Sequence, residues 1–77
     1  MSNDVRRLVG QNVKRLRAAA GLSQAALAER MGIDRAYISG LELGQRNPTI
    51  VTLWHVGQAL KSELGAFFAD AKPTRNR

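Results

Sequence analysis

The chain of 77 residues has no cysteine and one histidine. Neither a disulfide nor a thiolate metal site can supplement its core, and His55 alone lacks the companion ligands that a zinc site needs. No apolar run approaches the ~20 residues that span a bilayer. Arg6-Arg7 resembles a twin-arginine export signal only superficially, because Gln11, Asn12, Lys14 and Arg15 interrupt any apolar stretch behind it. The glycines are scattered, so no glycine-rich phosphate loop is present. Ser23, Ser39 and Ser62 belong to no nucleophile–base pattern and suit caps or polar helix positions. Internal repeats and low-complexity stretches are missing. These absences point away from an enzyme, a cofactor protein and a membrane span. A cysteine-free chain is compatible with a reducing cytoplasm, which is the expected location.

Acidic residues are also scarce: 6 Asp and Glu face 12 Lys and Arg, for a net charge of +6 and a pI near 11.2. A small, strongly basic domain suggests a polyanionic partner. Nucleic acid is the first candidate, an anionic membrane surface the second, and solubility alone the plain alternative. The length fits one domain. A chain of this size buries only roughly 60% of the surface that it exposes when unfolded, so its core is modest.

What is present centres on Gln24 to Glu42, QAALAERMGIDRAYISGLE. Leu27 and Met31 lie four apart and share a helix face; Ile38 and Leu41 lie three apart on a second helix. Ala28 is small where one helix must cross closely over the other. Gly32 can take the positive φ of a tight turn, Ile33 follows as an apolar turn residue, and Asp34 can cap the second helix. Together they describe a helix-turn-helix.

The flanking chain reads as further short helices. Asp4 to about Ala20 forms the first, with Val5, Leu8, Val9, Val13 and Leu16 as its apolar stripe and Gly21 as its stop. Ser23 is a candidate cap for a second helix over 24–31. The third runs from about Arg35 to Leu43. After the polar loop Gln45-Arg46-Asn47-Pro48, Thr49 caps a fourth from Ile50 to Leu60, facing inward with Ile50, Leu53, Val56 or Gly57, and Leu60. Ser62 and Glu63 open a short fifth helix holding Leu64, Phe67 and Phe68. Residues 72–77 form a basic tail, expected to be disordered. The expected fold is all-α: a compact five-helix domain with a helix-turn-helix over residues 1–71.

The strings NVKRLRAAAGLSQAALAERMGI, DRAYISGLELGQRNPT and TLWHVGQAL resemble the Cro/C1-type, or XRE, helix-turn-helix domains over about Val13 to Leu60. DRAYISGLE followed by GQRNPT is also similar to the controller proteins of restriction–modification systems. The resemblance implies sequence-specific binding of double-stranded DNA, as a homodimer, in transcriptional control.

In such a domain the third helix enters the major groove. Groove-facing positions, pointing away from Ile38 and Leu41, are Arg35, Ala36, Ser39 and Gly40, with Leu43 at the margin. Arg35 can give two parallel hydrogen bonds to guanine, and Ala36 can touch a thymine methyl. Gly40 has no side chain to read with; a close approach to DNA or to a neighbouring helix would explain it. By resemblance Gln24 contacts phosphate, as do Gln45, Arg46 and Asn47. Ser23 either caps or binds phosphate, and Tyr37 offers its hydroxyl to phosphate or packs beside the core. Arg17 and Glu42 match positions that form a partly buried ion pair in relatives. Arg6, Arg7, Lys72, Arg75 and Arg77 suit a solvated surface.

Phe67 and Phe68 are adjacent and point in different directions on a helix. So small a domain can hardly bury both, and exposed apolar bulk marks an interface. Leu64, Phe67 and Phe68 are thus expected to form a two-fold dimer interface. A function of another class, an antitoxin-like or adaptor module that binds a protein, would need a second apolar surface, for which Trp54 is the sole pointer. Transcriptional activation would add RNA polymerase as a partner, but no surface for it is legible.

Overall fold

Three of the helices begin behind a residue whose side chain takes up a free backbone N–H. The computed structural model describes residues 2–70. It contains α1 (Ser2–Ala19), α2 (Gln24–Met31), α3 (Arg35–Glu42), α4 (Ile50–Leu60) and a 3-10 turn over Leu64–Phe68, with no strand among the described residues. Ser23 Oγ accepts from the Ala26 N–H at 2.9 Å. Asp34 Oδ1 accepts from Ala36 at 3.1 Å, and Thr49 Oγ1 from Thr52 at 3.0 Å. All three caps lie where the sequence places them. Gly32 closes α2 with φ +69°, turning the chain directly into α3. Lys61 ends α4 in the same left-handed region without being glycine.

The core draws on every element: Val9 and Val13 from α1, Leu27 and Ala28 from α2, Ile38 and Leu41 from α3, Leu53, Val56 and Leu60 from α4, and Phe67 behind them. Ala28 is buried, as a tight crossing requires. Val56 and Gly57 are both inward.

Four expectations need correction. The fifth helix is a single 3-10 turn, because five residues between Glu63 and Ala69 are too few for a stable α-helix. Phe67 is fully buried, so it is a core residue and not a dimer contact; Leu64 is half-buried against the same core, while Phe68 remains 48% exposed. Ile50, assigned to the inward face of α4, is 73% exposed, since it sits at the first turn, beyond the edge of the core. Val5 is likewise half-exposed, near the start of α1. The tail over 72–77, with Lys72, Arg75 and Arg77, lies outside the described residues.

Two features of α1 escaped the sequence pattern. Asn12 is completely buried. Its Nδ2 donates to the carbonyls of Phe67 at 2.9 Å and Ala69 at 2.7 Å. Its Oδ1 accepts from Arg15 Nη2 at 3.0 Å, with Nε at 3.3 Å. A polar residue that only interrupts the apolar pattern in the sequence therefore pins the C-terminal turn to α1. Its buried polar atoms are satisfied, which is the condition for such a group to stabilise rather than destabilise.

Gly10 is buried where α1 meets the end of α3. A Cβ there would lie 2.4 Å from the Leu41 carbonyl oxygen and 2.8 Å from that of Glu42. These are backbone atoms and cannot rotate aside. In an exposed helix Gly→Ala would stabilise by about 1 kcal/mol. Here Gly10→Ala should instead destabilise by about 1–3 kcal/mol through overpacking. Urea unfolding measures the sign: a gain in stability would refute the close α1–α3 approach.

Candidate nucleic-acid interface

The candidate surface is built outward from a buried charge pair. Arg17 reaches from the last turn of α1 to Glu42 at the end of α3. Its Nε donates to Oε2 at 2.6 Å and its Nη2 to Oε1 at 3.0 Å. Its Nη1 donates to the Leu22 carbonyl at 2.8 Å. One guanidinium thus ties α1, the turn before α2, and α3. The side chains of Arg17 and Glu42 are 13% and 4% exposed. Burial alone would push the Glu42 carboxyl up. Hydrogen bonds from Arg17 and Gln24, with the charges of Arg17 and Lys14, outweigh it and hold the carboxyl below its ordinary value. The hydrogen bond to Glu42 raises Arg17 in turn.

The network continues outward. Gln24, the first residue of α2, donates from Nε2 to Glu42 Oε1 at 3.0 Å. Its Oε1 accepts from Arg35 Nη1 at 3.0 Å. Gln24 therefore links the buried pair to the exposed first residue of α3. A free arginine side chain loses much rotamer entropy when it binds; one already held by a hydrogen bond loses less.

Ile38, Leu41 and Glu42 are buried and define the inner side of α3. Helical periodicity puts Ala36, Ser39, Gly40 and Leu43 opposite them, with Arg35 on one flank and Tyr37 on the other. Ala36 and Arg35 are exposed, Ser39 is half-buried, and Leu43 is 64% exposed. Gly40 departs from the picture of a bare groove-facing position: it is buried, beneath Arg46. Tyr37 is half-buried beside the core, with the Arg46 guanidinium carbon 5.1 Å from its ring centroid. Gln45, Arg46 and Asn47 are exposed in the loop that follows. Ser23 acts as a cap through its oxygen, which leaves its hydroxyl proton for a ligand. The surface is one exposed helix face, bracketed by arginines, with short side chains between them. Such a face can enter a groove of ≈ 12 Å width.

The geometry agrees with what comparison finds. The helix-turn-helix family model HTH_3 matches residues 13–67. An uncharacterised HTH-type transcriptional regulator of Sinorhizobium fredii, y4dJ, is 49% identical over 57 residues, 74% of either chain. The control protein C.MunI of a Mycoplasma species is 35% identical over 88% of this chain and 93% of its own. The crystal structure of the restriction–modification controller protein C.AhdI from Aeromonas hydrophila superposes with a TM-score of 0.78 at 41% identity, covering 82% of this chain and 96% of that one.

Removing Glu42 would leave the Arg17 charge buried without its partner. Glu42→Ala should cost about 3–5 kcal/mol, a fall in melting temperature of well over about 10 °C for a domain this small. A circular-dichroism melt within two degrees or so of the parent would refute the pair's structural role. The carboxyl is depressed in the folded state, so its stabilisation is present above its ordinary value of 4.5 and is lost as pH falls through the depressed one. Melting temperature should therefore drop more steeply with acid in the parent than in Glu42→Gln.

Proposed function

The chain belongs to the HTH_3 helix-turn-helix family, of the XRE or Cro/C1 type, whose members include transcriptional regulators, and from that premise we propose that it binds a near-palindromic operator as a homodimer and controls transcription, its own included. The observation that carries this reading is the line of hydrogen bonds from Arg17 through Glu42 and Gln24 to Arg35. It fixes a guanidinium at the start of α3, on the face of the helix-turn-helix that a major groove receives. Arg35 is the primary base reader, bidentate to guanine. Ser23, Gln45 and Asn47 engage the phosphates on either side, which sets register without reading sequence. The short side chains of Ala36 and Ser39 let α3 sit deep. A cytoplasmic location accompanies this function.

Dimerisation is supported by an exposed apolar patch. Phe68, Val5 and Ile50 line one shallow depression with Pro48 and Leu53. Phe68 and Ile50 expose 48% and 73% of their surface, and Trp54 and Val51 continue the apolar area along α4. A second copy seated there two-fold symmetrically would set two recognition helices about 34–36 Å apart, one turn of DNA. Control would then follow protein concentration, as suits an autoregulatory controller.

Selection from random duplexes at near-physiological salt should enrich a two-fold symmetric site. Arg35→Ala should relax one guanine position of each half-site by about 1–3 kcal/mol. Binding that enriches no site and disappears steeply with salt would leave a non-specific polycation. In sedimentation equilibrium at micromolar concentration the protein should be dimeric, and Phe68→Ala should shift it to monomer without changing its helical signal. A monomeric parent would refute the dimer.

A further inference from the structure

Helices α3 and α4 both pack on α1 and on α2, but scarcely on one another. The gap between them is a cavity of about 410 Å³. Met31 and Tyr37, half-buried against the core, give it an apolar floor, and Ile33, 37% exposed, forms its rim. Asp34, Thr52 and His55 complete the walls. Met31 and His55 also border a second cavity, of about 430 Å³, where Arg30, Gln58 and Lys61 stand at the end of α4. The two cavities form one groove, apolar at one end and cationic at the other. It shares no residue with the depression beside Phe68. Arg30 Nη1 donates to the Ala59 carbonyl at 3.1 Å, which places its guanidinium at the groove. Among the described residues neither Arg30 nor Lys61 has a carboxylate partner. Free carbonyls at the end of α4 would repel an anion, but those of Gly57 and Gln58 accept from the N–H groups of Ser62 and Lys61. Asp34 is the acidic residue among those described around the groove. It belongs to the far cavity, with its Oδ1 engaged by Ala36.

We infer that this groove binds a small amphipathic carboxylate, its aromatic or aliphatic body over Met31, Ile33 and Tyr37 and its carboxylate between Arg30 and Lys61. Each cavity falls in the range of about 300–1,000 Å³ typical of small-molecule sites, which combine apolar walls with a few polar groups that orient the ligand. The walls are too few for a stable protein interface, which takes roughly 20–30 residues a side. Two cations without carboxylate partners select an anionic head over a neutral or cationic one, because a charge-assisted hydrogen bond is the stronger kind. A ligand there would touch α3 and α4 at once and tie together two helices that hardly pack on each other. The site lies apart from Arg35 and Phe68, so it neither needs an operator nor a second copy to fill.

Titration of the full chain with indoleacetate and with octanoate, followed by amide NMR shifts and by melting temperature, tests this without DNA. Acetate and the primary amides of the two acids serve as controls. At least one of the two acids should bind saturably, move the amide signals of Met31, Ile33, Tyr37 and His55, and raise the melting temperature. Its amide should bind about tenfold or more weakly, since the charge-assisted hydrogen bonds are lost. Arg30→Gln should lose a similar factor for the acid and leave the amide unaffected. Lys61→Gln, which removes no hydrogen bond within the chain, should cost the acid about two- to fivefold. Ile33→Ala, with helical content unchanged, should weaken acid and amide alike. No saturable shift with either acid at millimolar concentration would overturn the site. Equal binding of acid and amide would overturn the cationic end, and an equal response to acetate would reduce it to an adventitious ion only. Shifts centred on Phe68 and Val5 would place the ligand on the other apolar patch and overturn this groove.

Discussion

The Arg17–Glu42 pair sets the terms for the rest of the domain. A charge pair this well buried is stable only when each charged atom has partners in good geometry, because desolvation of either ion costs several kcal/mol. Arg17 meets that condition with three hydrogen bonds, two to Glu42 and one to the Leu22 carbonyl. Glu42 adds one from Gln24. The chain ends that must converge for this are the last turn of α1, the turn into α2, the start of α2 and the end of α3. A network with such demands admits few alternative arrangements of the three helices. It makes the position of α3 depend on an interaction that is itself largely shielded from solvent.

The close packing of α1 against α3 is the mechanical side of the same constraint. Arg17 can reach Glu42 because the helices approach until the Leu41 carbonyl leaves no room for a Cβ on Gly10. At the other end, Asn12 draws the C-terminal turn onto α1 and delivers Phe67 to the core. Phe68, one residue on, is thereby turned outward, beside Val5 and Ile50. One buried amide thus connects the completion of the core to the apolar patch proposed to receive a second copy.

On the recognition side, order is imposed from both flanks. Gln24 holds Arg35 from α2, and Tyr37 holds Arg46 from within α3. Both guanidiniums belong to the outer surface, yet neither is left to sample its full rotamer range. Preorganisation of this kind lowers the entropy that a side chain loses when it engages a partner, and the outward residues between the two are small.

Much of this was legible in the chain itself. The apolar spacing of Leu27, Ile38, Leu41 and Leu53, the caps Ser23, Asp34 and Thr49, and the turn at Gly32 are local facts, and local periodicity and capping chemistry determined the four helices almost to the residue. The outward face of α3 followed from the same periodicity. Tertiary structure alone decided what depends on separate segments meeting. That Asn12 is buried, that Gly10 is a contact point and that Phe67 rather than Phe68 enters the core all follow from how α1 crosses its neighbours, and a single-helix pattern carries no record of that crossing. Gln24 and Gly40 were both singled out in the sequence as candidate contact residues. Their partners, Arg35 across 11 residues and Arg46 folded back from a loop, were not, because a side chain's choice among reachable partners is made only when the backbones have been brought together.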